Sequence, residues 1–228
     1  MTFEMAIRLT ELLLGLALVQ QSAEYLVLTP KHRPIIASRL ILSGLLILGL
    51  APAIVTSALV IIGLWLLYRF NGPYNGGSDR MSFLVLICLW ATHLAPAPYW
   101  REIAFGYLAL QLVLSYFVSG AVKIVKRDWR SGVALRDVFL FSAYPASDAT
   151  RSWAERPQLL FALSWAVMLF ELLFPVALVT QSSLYVALLC ALFFHLANAY
   201  FFGLNRFVWA WAAAFPSLIW LQGMLFPV

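Results

Sequence analysis

Ile36-Ala-Ser-Arg-Leu-Ile-Leu-Ser-Gly-Leu-Leu-Ile-Leu-Gly-Leu-Ala-Pro52-Ala-Ile-Val-Thr-Ser-Ala-Leu-Val-Ile-Ile-Gly-Leu-Trp-Leu-Leu-Tyr-Arg69 is an almost unbroken apolar run. A helix crosses a bilayer with about 20 apolar residues, so this run is too long for one simple span. Pro52, between Ala51 and Ala53, marks either a tight hairpin or a kink, because proline removes a backbone donor and clashes with the preceding turn. The charges favour the hairpin. Lys31, Arg33 and Arg39 lie before the run or at its start, and Arg69 and Arg80 lie at or beyond its end. A hairpin puts all five on one side. That side then also receives Lys126, Arg127, Arg130, Arg136, Arg151, Arg156 and Arg206, while the other side keeps little beyond Arg101, next to Glu102. Such sorting is that of a membrane protein with its basic loops in the cytoplasm, which places both termini outside.

The rest of the chain agrees. Of its 228 residues, 63% are hydrophobic and 11% charged, and the mean hydropathy is +0.88. That balance excludes a soluble domain. Apolar runs predict helices at 5–28, 36–51, 53–69, 81–95, 101–124, 157–179, 183–202 and 206–227. The expected fold is all-α, a polytopic bundle of about eight spans in a cell inner membrane, with 1–228 forming a single integral membrane domain. A short amphipathic or re-entrant helix is expected at 130–143, from Val133, Leu135, Val138, Leu140 and Phe141. Residues 144–156 read as a loop, with Pro157 in the first turn of the next helix. The N-terminus lacks the basic region and cleavage site of a signal peptide, so it is read as part of the first helix. Cys88 and Cys190 both lie in apolar runs and read as small packing residues. The net charge of +5 reflects membrane orientation, and no nucleic-acid partner is expected.

Ionisable groups within membrane helices are costly and are functional candidates by default. The first helix carries Arg8, Glu11, Gln20, Gln21 and Glu24. Arg8 and Glu11 are spaced to pair on one helix face, and the group reads chiefly as a polar packing seam. Glu171 precedes Pro175 in mid-span and reads either as a structural partner for an arginine or lysine, since a lone buried carboxylate is costly, or as a group that binds a cation, holds a proton or pairs with a buried base. His195 and Asn198 share a helix face and read either as hydrogen-bonded core residues or as a substrate-orienting pair. His93 and His32 read as interfacial. In Asn75-Gly-Gly-Ser-Asp79, Ser78 or Asp79 is placed to cap the following helix. No metal-ligand spacing, phosphate-binding loop or dinucleotide fingerprint is present, and no metal is expected.

The sharpest candidate lies in Ser115-Tyr-Phe-Val-Ser-Gly-Ala-Val-Lys123-Ile-Val-Lys-Arg-Asp-Trp129-Arg-Ser-Gly132. A lysine near the end of an apolar helix either snorkels to the interface or stays buried, where its charged form is destabilised and it becomes a usable base.

Three segments in order resemble the horizontally transferred transmembrane domain, which is also the membrane part of vitamin K-dependent gamma-glutamyl carboxylase. The first is Asn75–Asp79 with the helix bearing Trp90. The second is Tyr116-Phe-Val-Ser-Gly120-Ala-Val-Lys123 with Trp129 and Gly132. The third is His195, Gly203 and Phe207, with Glu171 and Pro175 upstream. The resemblance spans about 70–228. It implies a reduced quinone, vitamin K or menaquinol, as cofactor, with Lys123 as the base that takes its proton. The further catalytic residues it suggests are Glu171 and His195, with Asn198, Trp129 and Tyr116 lining the cofactor site. Two departures stand out. Ser78 and Asp79 occupy the region where the carboxylase has a histidine. The carboxylase's large extramembrane region has no counterpart in these 228 residues, so the substrate is expected to be small or lipidic, or recognition to come from a partner.

The leading expectation is therefore a quinol-dependent oxygenase or epoxidase, or a peptide-modifying enzyme. The alternative is a non-catalytic membrane subunit that binds a partner complex, a lipid or a peptide, as in toxin maturation or immunity, with Lys123 in a basic cluster alongside Lys126 and Arg127. A transporter is disfavoured because no internal repeat is visible. The depth of Lys123 discriminates between the first two readings.

Overall fold

The structure is a computed structural model and describes residues 1–28, 30–69, 76–142 and 148–226. Among them there are only helices and their connections: α1 (Phe3–Leu28), α2 (Arg33–Leu48), α3 (Pro52–Arg69), α4 (Gly77–Leu94), α5 (Pro98–Ile124), α6 (Arg127–Arg130), α7 (Val133–Phe141), α8 (Asp148–Arg151), α9 (Pro157–Leu173), α10 (Gln181–Phe202), α11 (Asn205–Ala212) and α12 (Phe215–Leu225). The chain forms two compact units, one of Met1–Leu110 with Arg206–Val228 and one of Gln111–Asn205.

In the first unit, the run around Pro52 is a hairpin. Gly49 ends α2 with φ 72°, a left-handed conformation that glycine adopts without penalty. Its amide donates to the Leu46 carbonyl, and the Leu50 amide to that of Leu45, both at 3.0 Å, which is the Schellman closure. Pro52 then opens α3, where its missing donor is harmless. The α2 terminus also receives Arg8, which donates to the Leu46 carbonyl at 2.9 Å and to that of Ile47. A cation at a helix C-terminus is favourably placed. Arg8 and Glu11 pair at 2.7 Å, as their spacing predicts. His93, expected at the interface, lies in the last turn of α4. Its side chain is only 11% exposed and lies 2.8 Å from Glu11, so Glu11 holds two partners within the bundle. α1 packs along α2 and against α4 and α12. α3 meets α4 at Gly63, where a Cβ would lie 2.5 Å from the Phe83 ring, and Trp90 Nε1 donates to Ser57 Oγ at 2.9 Å.

Two helix starts differ from expectation. Asn75 lies outside the described residues. At Gly76, the N-cap of α4, no side chain caps the helix; Ser78 is buried, and Asp79 pairs with Arg206 instead. The predicted helix 206–227 is broken between α11 and α12, because Pro216 cannot donate back to the preceding turn. The Ser217 hydroxyl donates to the Ala214 carbonyl there, at 2.7 Å.

In the second unit, the expected helix at 130–143 is α7, and the short α6 precedes it, the two separated by Ser131 and Gly132, the latter at φ 79°. Position 143, the end of that expected helix, and positions 144–147 of the predicted loop 144–156 lie outside the described residues. The rest is not loop but α8 and a 3₁₀ turn at Ser152–Glu155. The Trp153 ring stacks on Phe139 and packs against Phe201, which draws this turn onto α7. α9 begins at Pro157 as predicted and tightens into a 3₁₀ turn at Phe174–Val179. Thr180 and Ser183 cap α10 reciprocally.

Among the described residues, five segments are long and apolar enough to cross a membrane: Pro52–Arg69, Pro98–Ile124, Pro157–Val179, Gln181–Phe202 and Asn205–Leu225. Their outward faces are apolar too. Ile54, Ile61 and Leu64 on α3, and Val186, Leu189 and Phe193 on α10, are each more than half exposed. A protein in water rarely shows such stripes, whereas lipid solvates them. Cys88 is buried as expected, but Cys190 faces outward on α10.

Candidate functional site

The second unit brings together residues that lie far apart in the sequence. Lys123, near the end of α5, meets Glu171, near the end of α9. The ammonium contacts both carboxylate oxygens, Oε2 at 2.6 Å, and also donates to Ser119 Oγ at 3.2 Å. The lysine side chain is 17% exposed and the glutamate 3%. Lys123 therefore does not simply snorkel away from the helices; it is held by a buried carboxylate, with a small part of its surface open. Its Nζ also lies 5.2 Å from the centre of the Trp129 ring, a favourable cation–π placement.

Gly120 makes this pairing possible. A Cβ there would lie 2.8 Å from the Leu172 amide nitrogen and 2.9 Å from Glu171 Cβ, so only glycine lets α5 and α9 approach this closely. Gly132 acts alike further on: a Cβ would meet the Phe161 amide nitrogen at 2.9 Å, and the left-handed φ independently favours glycine. Ser164 Oγ donates to the Trp129 carbonyl, and Trp165 Nε1 to that of Arg130 at 3.1 Å. α9 thereby anchors α6 and sets the Trp129 ring beneath Lys123. Sequence alone assigns neither glycine a role. Nor does it single out Ser119, Ser164 and Phe174; only the spacing Ser119–Lys123, one helical turn, points to the first.

Two turns before Lys123, Tyr116 is buried on α5. Its hydroxyl lies 2.9 Å from His195 Nε2 on α10. Its ring stacks on Phe174 with centroids 4.2 Å apart and meets Phe170 edge-on. Four of the six expected site residues, Lys123, Glu171, Tyr116 and His195, are thus tied into the packed interior of one unit, and Trp129 joins through Lys123. Asn198 is half-buried one turn beyond His195. Its carbonyl accepts the Leu204 amide at the end of α10, at 3.3 Å, and its side chain makes no hydrogen bond among the described residues.

This arrangement has a definite chemical capacity. A buried ammonium–carboxylate pair can hold a proton on either partner, and the Trp129 ring borders it.

A profile of the HTTM domain, the horizontally transferred transmembrane domain found in vitamin K-dependent carboxylase, matches residues 88–220. That is more than half of the chain, and it includes every residue of the site just described. The match begins within α4, so the Asn75–Asp79 segment, the first of the three that carry the resemblance, lies outside it. No curated protein and no solved structure matches the chain.

Proposed function

The chain belongs to the HTTM family and is a multi-pass integral membrane protein, and from that premise we propose that it is a quinol-dependent oxygenase or epoxidase, or a peptide-modifying enzyme, whose acid–base unit is Lys123 with Glu171. The observation that carries this reading is the pairing of a slightly open lysine with a fully buried glutamate inside apolar helices. Structural ion pairs need no such opening.

A reduced quinone such as vitamin K or menaquinol, when bound, would supply the reducing equivalents and the oxygen-derived base. The residues present suit such a group at one place: Trp129 beneath the ammonium offers a flat apolar face, and the pair offers a proton acceptor beside it, while Tyr116 is buried against Phe174 behind them. Glu171 accepts a hydroxyl proton at a carboxylate oxygen while the Lys123 ammonium neutralises the charge left behind. In the neutral form of the pair, Lys123 accepts the same proton at Nζ. Ser119 orients the ammonium. Tyr116 and His195 hold each other's rings in place, with Asn198 lining the same side. Loss of hydration around the pair raises the strength of each of these interactions.

The protein sits in the inner membrane. α1, α2 and α4 add three crossings to the five long apolar segments, making eight, with the basic loops cytoplasmic and both termini outside. One observation favours a second reading. Lys126, Arg127 and Arg130 are all exposed just beyond Lys123, as a membrane subunit binding a partner protein or peptide would require.

Purified protein in detergent, supplied with reduced vitamin K or menaquinol under oxygen, tests the proposal. Epoxide formation by wild type that falls at least a hundredfold in Lys123→Ala, with the variant still folded, is the expected result. Equal turnover in the two removes Lys123 from the chemistry. No turnover in either moves the assignment to the non-catalytic subunit.

A further inference from the structure

The first unit contains a polar cluster that the Lys123–Glu171 site does not use. It gathers the end of α1 (Gln21, Glu24, Tyr25) with residues in the early turns of α2 (Arg39), α4 (Asp79, Ser82) and α11 (Arg206). Arg206 takes both carboxylates. Its Nε donates to Glu24 at 2.6 Å, and its Nη1 to the two Asp79 oxygens at 3.2 and 3.3 Å. The Tyr25 hydroxyl donates to Asp79 as well, at 3.3 Å.

Arg39 is left without a carboxylate contact. It is only 7% exposed. Its Nη2 donates to Gln21 Oε1 at 2.7 Å, and Gln21 in turn donates to Ser82 Oγ at 2.8 Å. Its Nη1 is buried with no hydrogen-bond partner among the described residues. A guanidinium keeps its charge in proteins, and a buried charge is costly unless it is paired and hydrogen-bonded. A neutral glutamine does not meet that need. Arg39 lines a cavity of about 30 Å³ together with Gln21, Tyr25 and Asp79, against Leu59 and Leu66. One water-sized atom needs roughly 10–15 Å³ by this measure, so the cavity admits one or two atoms and not a whole ligand. The same ends of these helices carry exposed Lys31, Arg33, Arg69 and Arg80.

We propose that Arg39 is an anion site that takes one oxygen of a phosphate group, the rest of the group remaining outside the cavity among these basic residues. Asp79 shares the lining, but its oxygens are engaged by Arg206 and Tyr25. The remaining N–H of Arg39 supplies a charge-assisted hydrogen bond, and the exposed basic residues supply the long-range attraction that anionic headgroups feel. Two sources share this chemistry: the headgroup of an anionic lipid, and free inorganic phosphate.

The full chain in neutral detergent distinguishes them. Native mass spectrometry would count retained phosphatidylglycerol against phosphatidylcholine, and tryptophan-fluorescence melting would follow stabilisation by each lipid and by inorganic phosphate at matched ionic strength. One phosphatidylglycerol retained in preference to phosphatidylcholine, with half-saturation at least tenfold weaker in Arg39→Met, supports the site and assigns it to a lipid. Equal protection by inorganic phosphate, lost in the same variant, supports the site and assigns it to the free anion. Arg39→Lys keeps the charge but loses the planar fork; it should bind several-fold more weakly and decides the matter if Arg39→Met does not fold. No preference for either anion in wild type, or binding unchanged in Arg39→Lys and in any folded Arg39→Met, overturns the proposal and leaves the cavity to water.

Discussion

Lys123 and Glu171 answer for each other energetically. Each is buried enough that losing its partner leaves a charge with little solvent to receive it. Such stranding costs about 3–5 kcal/mol, whereas replacing both charges with apolar groups is often neutral. Lys123→Met and Glu171→Leu should therefore each lower stability by about 3 kcal/mol in detergent unfolding, and the double variant should recover most of that loss. Equal, additive losses would mean that the two residues stabilise the fold separately. Tyr116→Phe makes a narrower change. It keeps the ring on Phe174 and removes only the hydroxyl that meets His195, so a loss of about 1–2 kcal/mol is expected. A larger loss in unfolding measurements would show that the hydrogen bond organises more than its own two rings.

At the scale of helices, the two glycines Gly120 and Gly44 make opposite predictions. Both lie inside helices, where alanine is the better former by about 1 kcal/mol. At Gly44 a Cβ meets nothing within 4 Å, so Gly44→Ala should stabilise by roughly 0.5–1 kcal/mol. At Gly120 it strikes the backbone of α9, which cannot swing aside as a side chain can. Gly120→Ala should destabilise by about 1–3 kcal/mol and, by parting α5 from α9, loosen the Lys123–Glu171 pair and reduce the proposed quinol turnover. Thermal melts of the two variants read both signs. These helices also show what the sequence could reveal. The Pro52 hairpin was legible because proline, its small neighbours and the flanking charges all bear on one local choice. The break before Pro216 was not, since an apolar run on both sides hides a helix end that only one missing donor creates. Lys123, Glu171 and His195 were each recognisable as costly residues in apolar surroundings. Which of them meet is a tertiary fact: Tyr116 reaches His195 and Lys123 reaches Glu171 through the packing of helices distant in sequence, and the close approach at Gly120 leaves no periodic trace.

For the whole chain, the number of crossings depends on the turn at Gly49–Pro52. α2 is shorter than a typical span, and α4 begins with Asp79 and Arg80, so length and apolarity alone do not make them crossings. Charge gives an independent argument. If α2 and α3 both cross, Lys31 and Arg80 face the same compartment, and Leu50, 53% exposed at the hairpin, faces the other. If the pair instead formed one bent crossing, Lys31 and Arg80 would lie on opposite sides and the excess of Lys and Arg would no longer sort to one face, against the usual bias. In a background with Cys88 and Cys190 replaced by alanine, single cysteines at Lys31, Leu50 and Arg80 can be labelled in sealed right-side-out vesicles with a membrane-impermeant maleimide. Labelling of Leu50→Cys, with Lys31→Cys and Arg80→Cys labelled only after permeabilisation, is the expected pattern. Opposite behaviour of Lys31→Cys and Arg80→Cys would remove one crossing and reverse the assignment of every later loop. It would then place the basic residues after Lys123 on the outer face, where an extracytoplasmic peptide and not a cytoplasmic one would be the natural partner.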